Sequence, residues 1–371
     1  MQFVQKLSYM GVVLPNLGTL SRAFKADARP RRFPAVEGLI AHWHEAFPED
    51  PQILQSWADL NRQSDSGTAF HSPAWQYALG RAFIRAGRYR LLMIQENSRV
   101  VGVLPLQVSR AGILELPGSM ISDYIEPLID ASCARAVWSS MLLGLTRVPG
   151  VEASRVVLEN CRLDRIDAFA LREAAQQFGF EVITEHSTDA ARIALPASWD
   201  DYLAGLGGHD RKEIRRKLRN AQTKAAAELL VATSARDVSA ALDRTFAFMR
   251  QSGGAKAIKA RWTYRPMFDR ASDELIAQGL LKVFMLRLNG QDAAGLVCFD
   301  SKDGPMLWAA GFDVEQRQWS PGIVLMAMAI QHSVAAKAPC FDLLRGMSRY
   351  KHELGSVDSP VHRITLSRKG N

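Results

Sequence analysis

The chain has 371 residues, 47% of them hydrophobic and 23% charged, with a formal net charge of +8. Its length suits two domains, and its composition is that of a soluble globular protein. No apolar run reaches the ~18–20 residues of a membrane-spanning helix, and we expect no secretory signal, because the first residues lack a basic region followed by a continuous apolar core. The positive charge favours an anionic partner, which could be a phosphorylated cofactor, a nucleic acid or a membrane surface.

The four cysteines lie far apart, and no pair has the spacing of metal ligands. We therefore predict reduced and mostly buried thiols, which fit a cytoplasmic protein without a metal site. His42 and His44 fall in a predicted helix, where residues two apart point to different faces and form no metal-binding pair. The cysteines are Cys133, Cys161, Cys298 and Cys340.

Residues 1–47 are predicted to form a basic N-terminal extension that is partly flexible. A flexible tail and a surface-docking arm both fit this composition. Helices are predicted over Val36–Ala46 and Asp50–Asn61, the second with Asp50 as its N-cap and Pro51 in its first turn. Another helix is predicted to run from Pro73 to Ala86.

Each half of the remaining chain follows the order helices, antiparallel meander, helix and strand. In the first half, Tyr89–Gln95 and Val100–Val108 are predicted to form a hairpin. In the second, Asp210–Leu229 is a long basic helix, Trp262–Gln278 is helical, and Asn289-Gly290 marks a two-residue hairpin. We therefore predict two α/β domains, residues 48–190 and residues 191–371.

A polar loop that opens a helix is the first candidate site. It follows a predicted strand, and Ser320 and Pro321 are suited to the cap and first turn of the helix. Free N–H groups at such a start suit a pyrophosphate, although an ordinary helix start looks the same. The predicted cofactor-binding residues are Gln316, Arg317, Gln318, Ser320 and Gly322.

The second candidate site is the polar cluster of Phe341–Lys351, at the end of a buried strand. A carboxylate such as Asp342 inside an apolar strand requires partners or a function. We predict Asp342, Tyr350 and Lys351 as catalytic residues. A structural ion pair or hydrogen bond is the alternative for Asp342.

Three further segments are predicted to bind substrate. One is a basic helical stripe that either binds an anion or is a solvated face. Another is a loop after Pro117-Gly118, which forms either part of a pocket or an ordinary capped turn. The third is a helix start, which either lines a cleft or only packs its aromatic residues into the core. Their residues are Arg211, Arg215, Asp123, Tyr124, His71 and Trp75.

Together these segments resemble the CelD/BcsL-type acyltransferases of the GNAT superfamily, the group with a BioF2-like acetyltransferase domain, over roughly residues 50–360. The resemblance is carried by Phe70-His71-Ser72-Pro73 with Trp75, by Ser122-Asp123-Tyr124, by the helix of Arg211, Arg215 and Arg216, and by Phe341-Asp342 with Arg345-Gly346 and Tyr350-Lys351.

The resemblance implies an α/β (α+β) protein of two tandem GNAT-like domains, similar to the Fem peptidoglycan transferases. Each domain would have a mixed, largely antiparallel sheet flanked by helices. It also implies that an acyl group moves from a thioester, usually acyl-CoA, to an amine. The thioester pyrophosphate would lie on Gln316–Gly322, although this chain lacks the full glycine-rich form of that loop.

The predicted function is an N-acyltransferase with its cleft between the domains. Its acceptor would be an amine of a small molecule, sugar or peptide. Such a transfer would fit polysaccharide or cell-envelope biosynthesis. Asp342 or a water would take the amine proton, Tyr350 would protonate the thiolate, and Lys351 would hold charge on the substrate or cofactor.

Two alternatives stay open. The basic helix and the net charge favour an aminoacyl-tRNA-dependent Fem-like transferase. The incomplete phosphate loop favours a non-catalytic binding module of a surface-assembly complex. The sequence does not decide between CoA, a carrier protein and tRNA as the donor, and it leaves acyl length, acceptor and oligomeric state open.

Overall fold

The computed structural model describes residues 30–368, apart from residues 86, 153, 252–256, 258, 259, 261–263 and 347. Its strands are β1 (Arg31–Pro34), β2 (Ile40–His44), β3 (Tyr89–Glu96), β4 (Arg99–Val108), β5 (Leu114–Glu115), β6 (Leu128–Ile129), β7 (Arg155–Cys161), β8 (Phe180–Ala194), β9 (Glu228–Ala232), β10 (Leu281–Leu288), β11 (Gln291–Ser301), β12 (Gly304–Phe312), β13 (Cys340–Arg345) and β14 (Val357–Arg368).

The α-helices of the described residues flank these strands. They are α1 (Pro51–Gln63), α2 (Pro73–Phe83), α3 (Ala134–Leu145), α4 (Ala168–Gln177), α5 (Trp199–Gly205), α6 (Gly208–Ala225), α7 (Ala235–Gln251), α8 (Arg265–Ala277), α9 (Pro321–Ala335) and α10 (Arg349–Glu353).

The described strands form one continuous sheet across both halves of the chain. Its order is β1-β2-β3-β4-β5-β7-β14-β8-β13-β12-β11-β10-β9, with β6 paired to β4. Most neighbours are antiparallel, whereas β5–β7 and β12–β13 are parallel. This mixed, largely antiparallel sheet flanked by helices confirms the predicted α/β (α+β) class.

Helix starts form largely where the sequence indicates. Asp50 accepts a 2.8 Å hydrogen bond from the Gln52 amide, and Pro51 occupies the first turn of α1. Ser72 accepts one of 3.2 Å from Trp75 at the start of α2. Such caps satisfy amides that have no partner within the helix.

The helix predicted over Val36–Ala46 is wrong, because this segment contains β2. Leu39, Ala41 and Trp43 are buried, and the residues between them are more exposed. That alternation has the period of a strand. The basic helix ends at Ala225 rather than Leu229, since Ala226 takes a left-handed φ of 42° and β9 follows.

One core joins the two halves. Phe70 and Trp75 of the first half pack edge-to-face on Phe299 of β11, with ring centroids 5.2 and 5.1 Å apart. Phe268 of α8 and Trp308 of β12 complete this aromatic cluster. The predicted division between residues 190 and 191 stays a prediction, and both residues lie in β8.

Some predictions fall where little or nothing is described. Residues 1–29 of the predicted extension and residues 262 and 263 of a predicted helix lie outside the described residues. Within the described part of the chain, no helix is both long and apolar enough to cross a membrane.

Candidate functional site

A gap opens between β12 and β13 in the middle of the second-half sheet. The only register pair of these parallel strands is Met306 opposite Asp342. No pair follows toward their carboxyl ends, and Trp308 to Ala310 are half-buried although β12 is an interior strand. We call the space beyond this pair, between Leu307–Phe312 and Leu343–Arg345, the strand gap.

The edge of the strand gap on β12 is irregular. The register of β12 with β11 shifts between Val297 and Cys298, which leaves Trp308 as an extra residue. A bulge of this kind turns backbone groups out of the ladder. Beyond Met306, the amides and carbonyls of β12 that point away from β11 therefore have no strand partner and are available to a ligand.

Asp342 lies at the closed end of the strand gap. It is 6% exposed, and its Oδ2 accepts a 2.9 Å hydrogen bond from the Tyr124 hydroxyl. Its Oδ1 accepts one of 2.7 Å from the Leu344 amide, and Arg192 Nε lies 3.4 Å from Oδ2. Burial raises the pKa of Asp342 to about 6, because desolvation outweighs the donors and Arg192.

The end of β13 beyond Asp342 is a bulge held by a buried lysine. The register with β8 shifts between Asp342 and Arg345, and Leu344 has a left-handed φ of 58°. Lys351 Nζ donates to the carbonyls of Leu343, Leu344 and Arg345 at 2.8, 3.0 and 3.1 Å. A strained leucine kept in place by several contacts is typical of a functional site.

A loop of the first half, residues 116–127, reaches across to the same place. We call it the crossing loop. Trp308 of β12 donates a 2.8 Å hydrogen bond from Nε1 to the Ile121 carbonyl. Arg345 pairs with Asp123 of this loop, and it donates to Asn160 Oδ1 at 2.6 Å, to the Ser119 carbonyl at 2.8 Å and to the Ser122 carbonyl at 3.3 Å.

Tyr124 is the residue of the crossing loop that touches Asp342. The Arg162 guanidinium lies 4.5 Å from the centre of its ring, and Arg162 also forms a buried 2.6 Å ion pair with Glu126. Burial and the neighbouring Asp342 raise the pKa of Tyr124 well above its usual value. Tyr124 therefore stays protonated, and its hydroxyl donates a hydrogen bond to the carboxylate.

The other two predicted catalytic residues, Tyr350 and Lys351, make no hydrogen bond or ion pair with Asp342 among the described contacts. Tyr350 is 36% exposed on α10, where it borders a small cavity of about 30 Å³ with Lys217 and Ile323. Burial of part of its ring raises the pKa of Tyr350. Lys351 is 6% exposed, and its Nζ donates hydrogen bonds to the carbonyls at the end of β13. Their predicted roles stay predictions.

The predicted phosphate loop folds as a 3₁₀-helix, Val314–Trp319, followed by α9. Ser320 has a left-handed φ of 52°, and its side chain makes no capping hydrogen bond, contrary to the prediction. Its amide donates to the Arg317 carbonyl, and those of Ile323 and Val324 donate to the Ser320 carbonyl. Since Pro321 has no N–H, residues 320–324 offer one free amide, that of Gly322.

The side chains of this loop offer few hydrogen-bond donors to an anion. Arg317 and Gln318 are exposed, and Gln316 donates a 3.4 Å hydrogen bond to Asp313. The acidic residues Asp313 and Glu315 lie in the same turn. One amide and one guanidinium suit a single phosphate better than a pyrophosphate, which needs several donors. The acyl-CoA site on this loop stays a prediction.

Two predicted substrate-binding residues support the crossing loop from behind. His71 is buried between Thr68 Oγ1 and the Glu126 carbonyl, each 2.9 Å away, and burial lowers the pKa of His71 to about 4. Trp75 is fully buried and donates a 2.8 Å hydrogen bond from Nε1 to Ser122 Oγ. Both hold the loop that carries Asp123 and Tyr124.

The other two predicted substrate-binding residues, Arg211 and Arg215, lie on α6. Arg211 donates a 3.3 Å hydrogen bond to the Ala204 carbonyl, and Arg215 is exposed. Neither contacts Asp342 or the crossing loop.

Sequence reasoning missed Arg192 and Asn160. Arg192 joins Asp342 to Asp303, 3.1 Å away, and Asn160 orients Arg345. Arg192 could have been noticed, since it is a charge inside an apolar strand, as Asp342 is. Nothing local marks Asn160.

A larger open cleft of about 820 Å³ lies at the opposite ends of β12 and β13, and its lining includes Asn61, Lys282, Asp300 and His332. It does not include Asp342 or its contacts. Among the described residues, no group of three or more His, Cys, Asp or Glu side chains could hold a metal ion.

Comparisons with known proteins identify the architecture. Residues 208–352 match a protein family described as an acetyltransferase (GNAT) domain. No curated protein matches the chain. Among solved structures, FemX superposes with a TM-score of 0.59 at 10% identity, over 84% of this chain and 95% of that one.

Two more solved structures are similar over most of the chain. One is the C-terminal domain of a protein assigned as a lysylphosphatidylglycerol synthetase from Agrobacterium fabrum, with 12% identity, a TM-score of 0.53 and coverage of 86% of this chain and 92% of that one. The other is a conserved Bacteroides thetaiotaomicron protein of unknown function. It has 11% identity, a TM-score of 0.55 and coverage of 85% of this chain and 97% of that one.

The chain therefore has a GNAT-superfamily fold with a Fem-like architecture, as the sequence predicts. At these identities the structural likeness shows the fold alone. The narrower resemblance to the CelD/BcsL-type and BioF2-like proteins stays a prediction.

Proposed function

We propose that this protein is a GNAT-type N-acyltransferase that moves an acyl group from a thioester to an amine in the strand gap. The observation that carries the proposal is the parting of β12 and β13 at Asp342, inside a segment that matches a GNAT domain. The gap is lined by free backbone groups of a strand, which suit the amide-rich arm of a thioester donor.

The reaction forms one bond and breaks one. The amine nitrogen attacks the thioester carbonyl, the C–N bond forms, and the C–S bond breaks to release the thiol. Backbone N–H groups of β12 near the Trp308 bulge would stabilise the oxyanion, an effect often worth about 3–4 kcal/mol per donor. The amine loses one proton, and the departing thiolate gains one.

Asp342 would take the amine proton, directly or through a water. With a pKa of about 6 it is mostly ionised at pH 7 and still basic enough to accept a proton. Tyr124 and the Leu344 amide hold its two oxygens and so orient the carboxylate. Tyr350 would protonate the thiolate, and Lys351 would keep the β13 bulge in shape.

Replacing Asp342 by asparagine tests this proposal. Thiol release from acyl thioesters, measured with a panel of primary amines, is expected to fall by about 10²–10³-fold in Asp342→Asn. The matched control is Asp300→Asn, since burial also raises the pKa of Asp300 but its partner is Lys282. An Asp342→Asn protein that folds and keeps full turnover would remove Asp342 from the mechanism.

A second candidate is an aminoacyl-tRNA-dependent transferase, favoured by the strongly basic helix α6. It uses the same gap but takes its acyl group from an aminoacyl ester. Such a donor predicts tRNA binding that weakens steeply as salt rises. Absence of that binding would exclude it, whereas absence of turnover with every donor would favour a non-catalytic binding module.

A further inference from the structure

We propose that the thioester donor reaches the strand gap on an acidic carrier protein that docks on the basic face of α6. This inference rests on the proposed acyltransferase function and deepens it, because it names the partner that brings the donor. The basic face consists of the exposed side chains Lys212, Arg215, Arg216 and Arg219.

The charge of the chain is concentrated on α6. The helix holds seven Lys or Arg residues and two acidic residues, a net charge of +5 within a chain of +8. Its other side is buried through Ile214, Leu218, Ala221 and Ala225. Exposed like charges three or four residues apart repel one another on a helix. An anionic partner relieves that repulsion.

Most of this charge is not compensated within the described part of the chain. Arg216 pairs with Glu213, but Lys212, Arg215 and Arg219 make no ion pair with a described residue. These three cations lie on the side of the helix opposite its buried residues. They are therefore free to meet a negatively charged surface.

The basic helix lies beside the mouth of the strand gap. Its buried residues Ile214 and Leu218 belong to the same apolar cluster as Val324 and Leu325 of α9. Lys217 borders the 30 Å³ cavity together with Ile323 and Tyr350. A partner held on the basic face lies on the side of α6 away from α9, so its donor arm would extend around α6 to the start of α9, where its phosphate is predicted to lie.

The phosphate loop itself favours a donor held mainly by its carrier. It offers the Gly322 amide and Arg317, beside the acidic Asp313 and Glu315. Free CoA brings a pyrophosphate and a further phosphate that need many donors. The phosphopantetheine arm of a carrier protein brings one phosphodiester, so the docking surface would supply the remaining affinity.

The mouth of the gap also exposes apolar side chains. Phe312 and Val314 are 38% and 39% exposed where β12 ends, and Tyr350 is 36% exposed on α10. An apolar centre beside a charged rim is the usual composition of a protein–protein interface. A protein partner fits this combination of an apolar centre and a charged rim.

Docking leaves the chemistry of the transfer unchanged. The acyl C–S bond to the carrier's pantetheine sulfur breaks as the C–N bond to the acceptor amine forms. The sulfur takes up one proton and leaves as the free thiol of the carrier, and the amine loses one proton.

The test is the affinity for a fluorescently labelled holo acyl carrier protein, measured by anisotropy. The charge-reversed variant is Lys212→Glu with Arg219→Glu. The matched control, Arg172→Glu with Arg236→Glu, makes the same charge change at exposed positions of α4 and α7. The α6 variant should bind about tenfold or more weakly and the control within about twofold of the unchanged protein, because steering acts through nearby charge.

Turnover separates docking from chemistry. With a small S-acyl pantetheine, both double variants should match the unchanged protein, whereas with an acylated carrier protein only the α6 variant should lose turnover. Equal carrier affinity in both variants, or no carrier binding at all, overturns the inference. So does tRNA binding that depends on α6, or tight saturation by free acyl-CoA. No turnover with any thioester instead overturns the acyltransferase proposal, and charge-dependent carrier binding would then still support the docking surface.

Discussion

In the described part of the chain, each half contains one parallel strand pair. The two pairs differ in how far the pairing of their strands continues. In the first half, β5 and β7 pair through Leu114 and Glu115, and the Leu116 amide adds a 3.3 Å hydrogen bond to the Val157 carbonyl. In the second half, β12 and β13 pair only at Met306 and then part. The first pair continues into the crossing loop, and the second opens into the strand gap.

This difference assigns different tasks to the two halves. The first half uses the segment after its parallel strand to complete the site of the other half, through Tyr124 on Asp342 and Asp123 on Arg345. The second half keeps the free strand edges that a donor requires. The comparison predicts one donor site per chain, located in the second half.

Cutting the connection between the halves should have the largest effect on stability. Arg345→Ala removes the partner of Asp123, which is 13% exposed, and leaves the carbonyls of Ser119 and Ser122 with Asn160 Nδ2 as their remaining donor. We expect a loss of about 3–5 kcal/mol in the free energy of unfolding, measured with urea. A loss below about 1 kcal/mol would show that Arg345 does not hold the halves together.

Neutralising Asp342 should stabilise the protein while it removes turnover. Because its folded pKa of about 6 lies above the usual 3.8, the folded state holds the proton more tightly. The loss in the free energy of unfolding that results is absent below pH 3.8, grows up to about pH 6 and is complete above it. It amounts to at most about 3 kcal/mol. Asp342→Asn should therefore differ little from the unchanged protein at pH 4 and exceed it at pH 8 in thermal denaturation. A less stable Asp342→Asn at pH 8 would contradict this pKa.

Removing the hydroxyl that the first half supplies should have a smaller effect. Tyr124→Phe takes one hydrogen bond from the Asp342 carboxylate, so the pKa of Asp342 should rise further. We therefore expect the acid limb of the pH profile of kcat/KM, which lies near pH 6, to shift to higher pH. A lost hydrogen bond worth about 1.5 kcal/mol corresponds to a shift of about one pH unit. An unmoved limb would mean that Tyr124 does not act through Asp342.

The smallest effect is expected at an exposed contact between the halves. Arg363 of β14 pairs with Glu159 of β7 at 2.7 Å, but Arg363 is 46% exposed. Arg363→Ala should cost less than about 1 kcal/mol in urea denaturation. It is the matched control for Arg345→Ala, and a similar loss in both variants would show that burial does not distinguish the two contacts.

Local patterns in the sequence predict several elements of the second half. The Asn289-Gly290 turn joins β10 to β11, and the apolar run after Ser320 forms α9, because these features depend on near neighbours. They fail for β2, where the sequence analysis predicts a helix, and for β14, which it does not predict. β14 is stabilised by β7 and β8, which are distant in the chain.

The candidate site could be predicted only as separate pieces. Asp342 and Tyr124 each stand out in the sequence, but they are 218 residues apart in the chain, and no local signal pairs them. The local pattern therefore offers Arg345, Tyr350 and Lys351 as partners of Asp342, because they are near it in the chain. The contact that orients the carboxylate comes instead from the crossing loop, whose path depends on the whole sheet.

The most direct test of the central claim is amine-dependent thiol release from millimolar S-acyl pantetheine, measured from pH 5 to 8. This donor needs no pyrophosphate site and so reports on the strand gap itself. We expect release that saturates with the thioester, declines below about pH 6 and is lost in Asp342→Asn but kept in Asp300→Asn. Full release by Asp342→Asn, or none by the unchanged protein with any amine, would contradict the account.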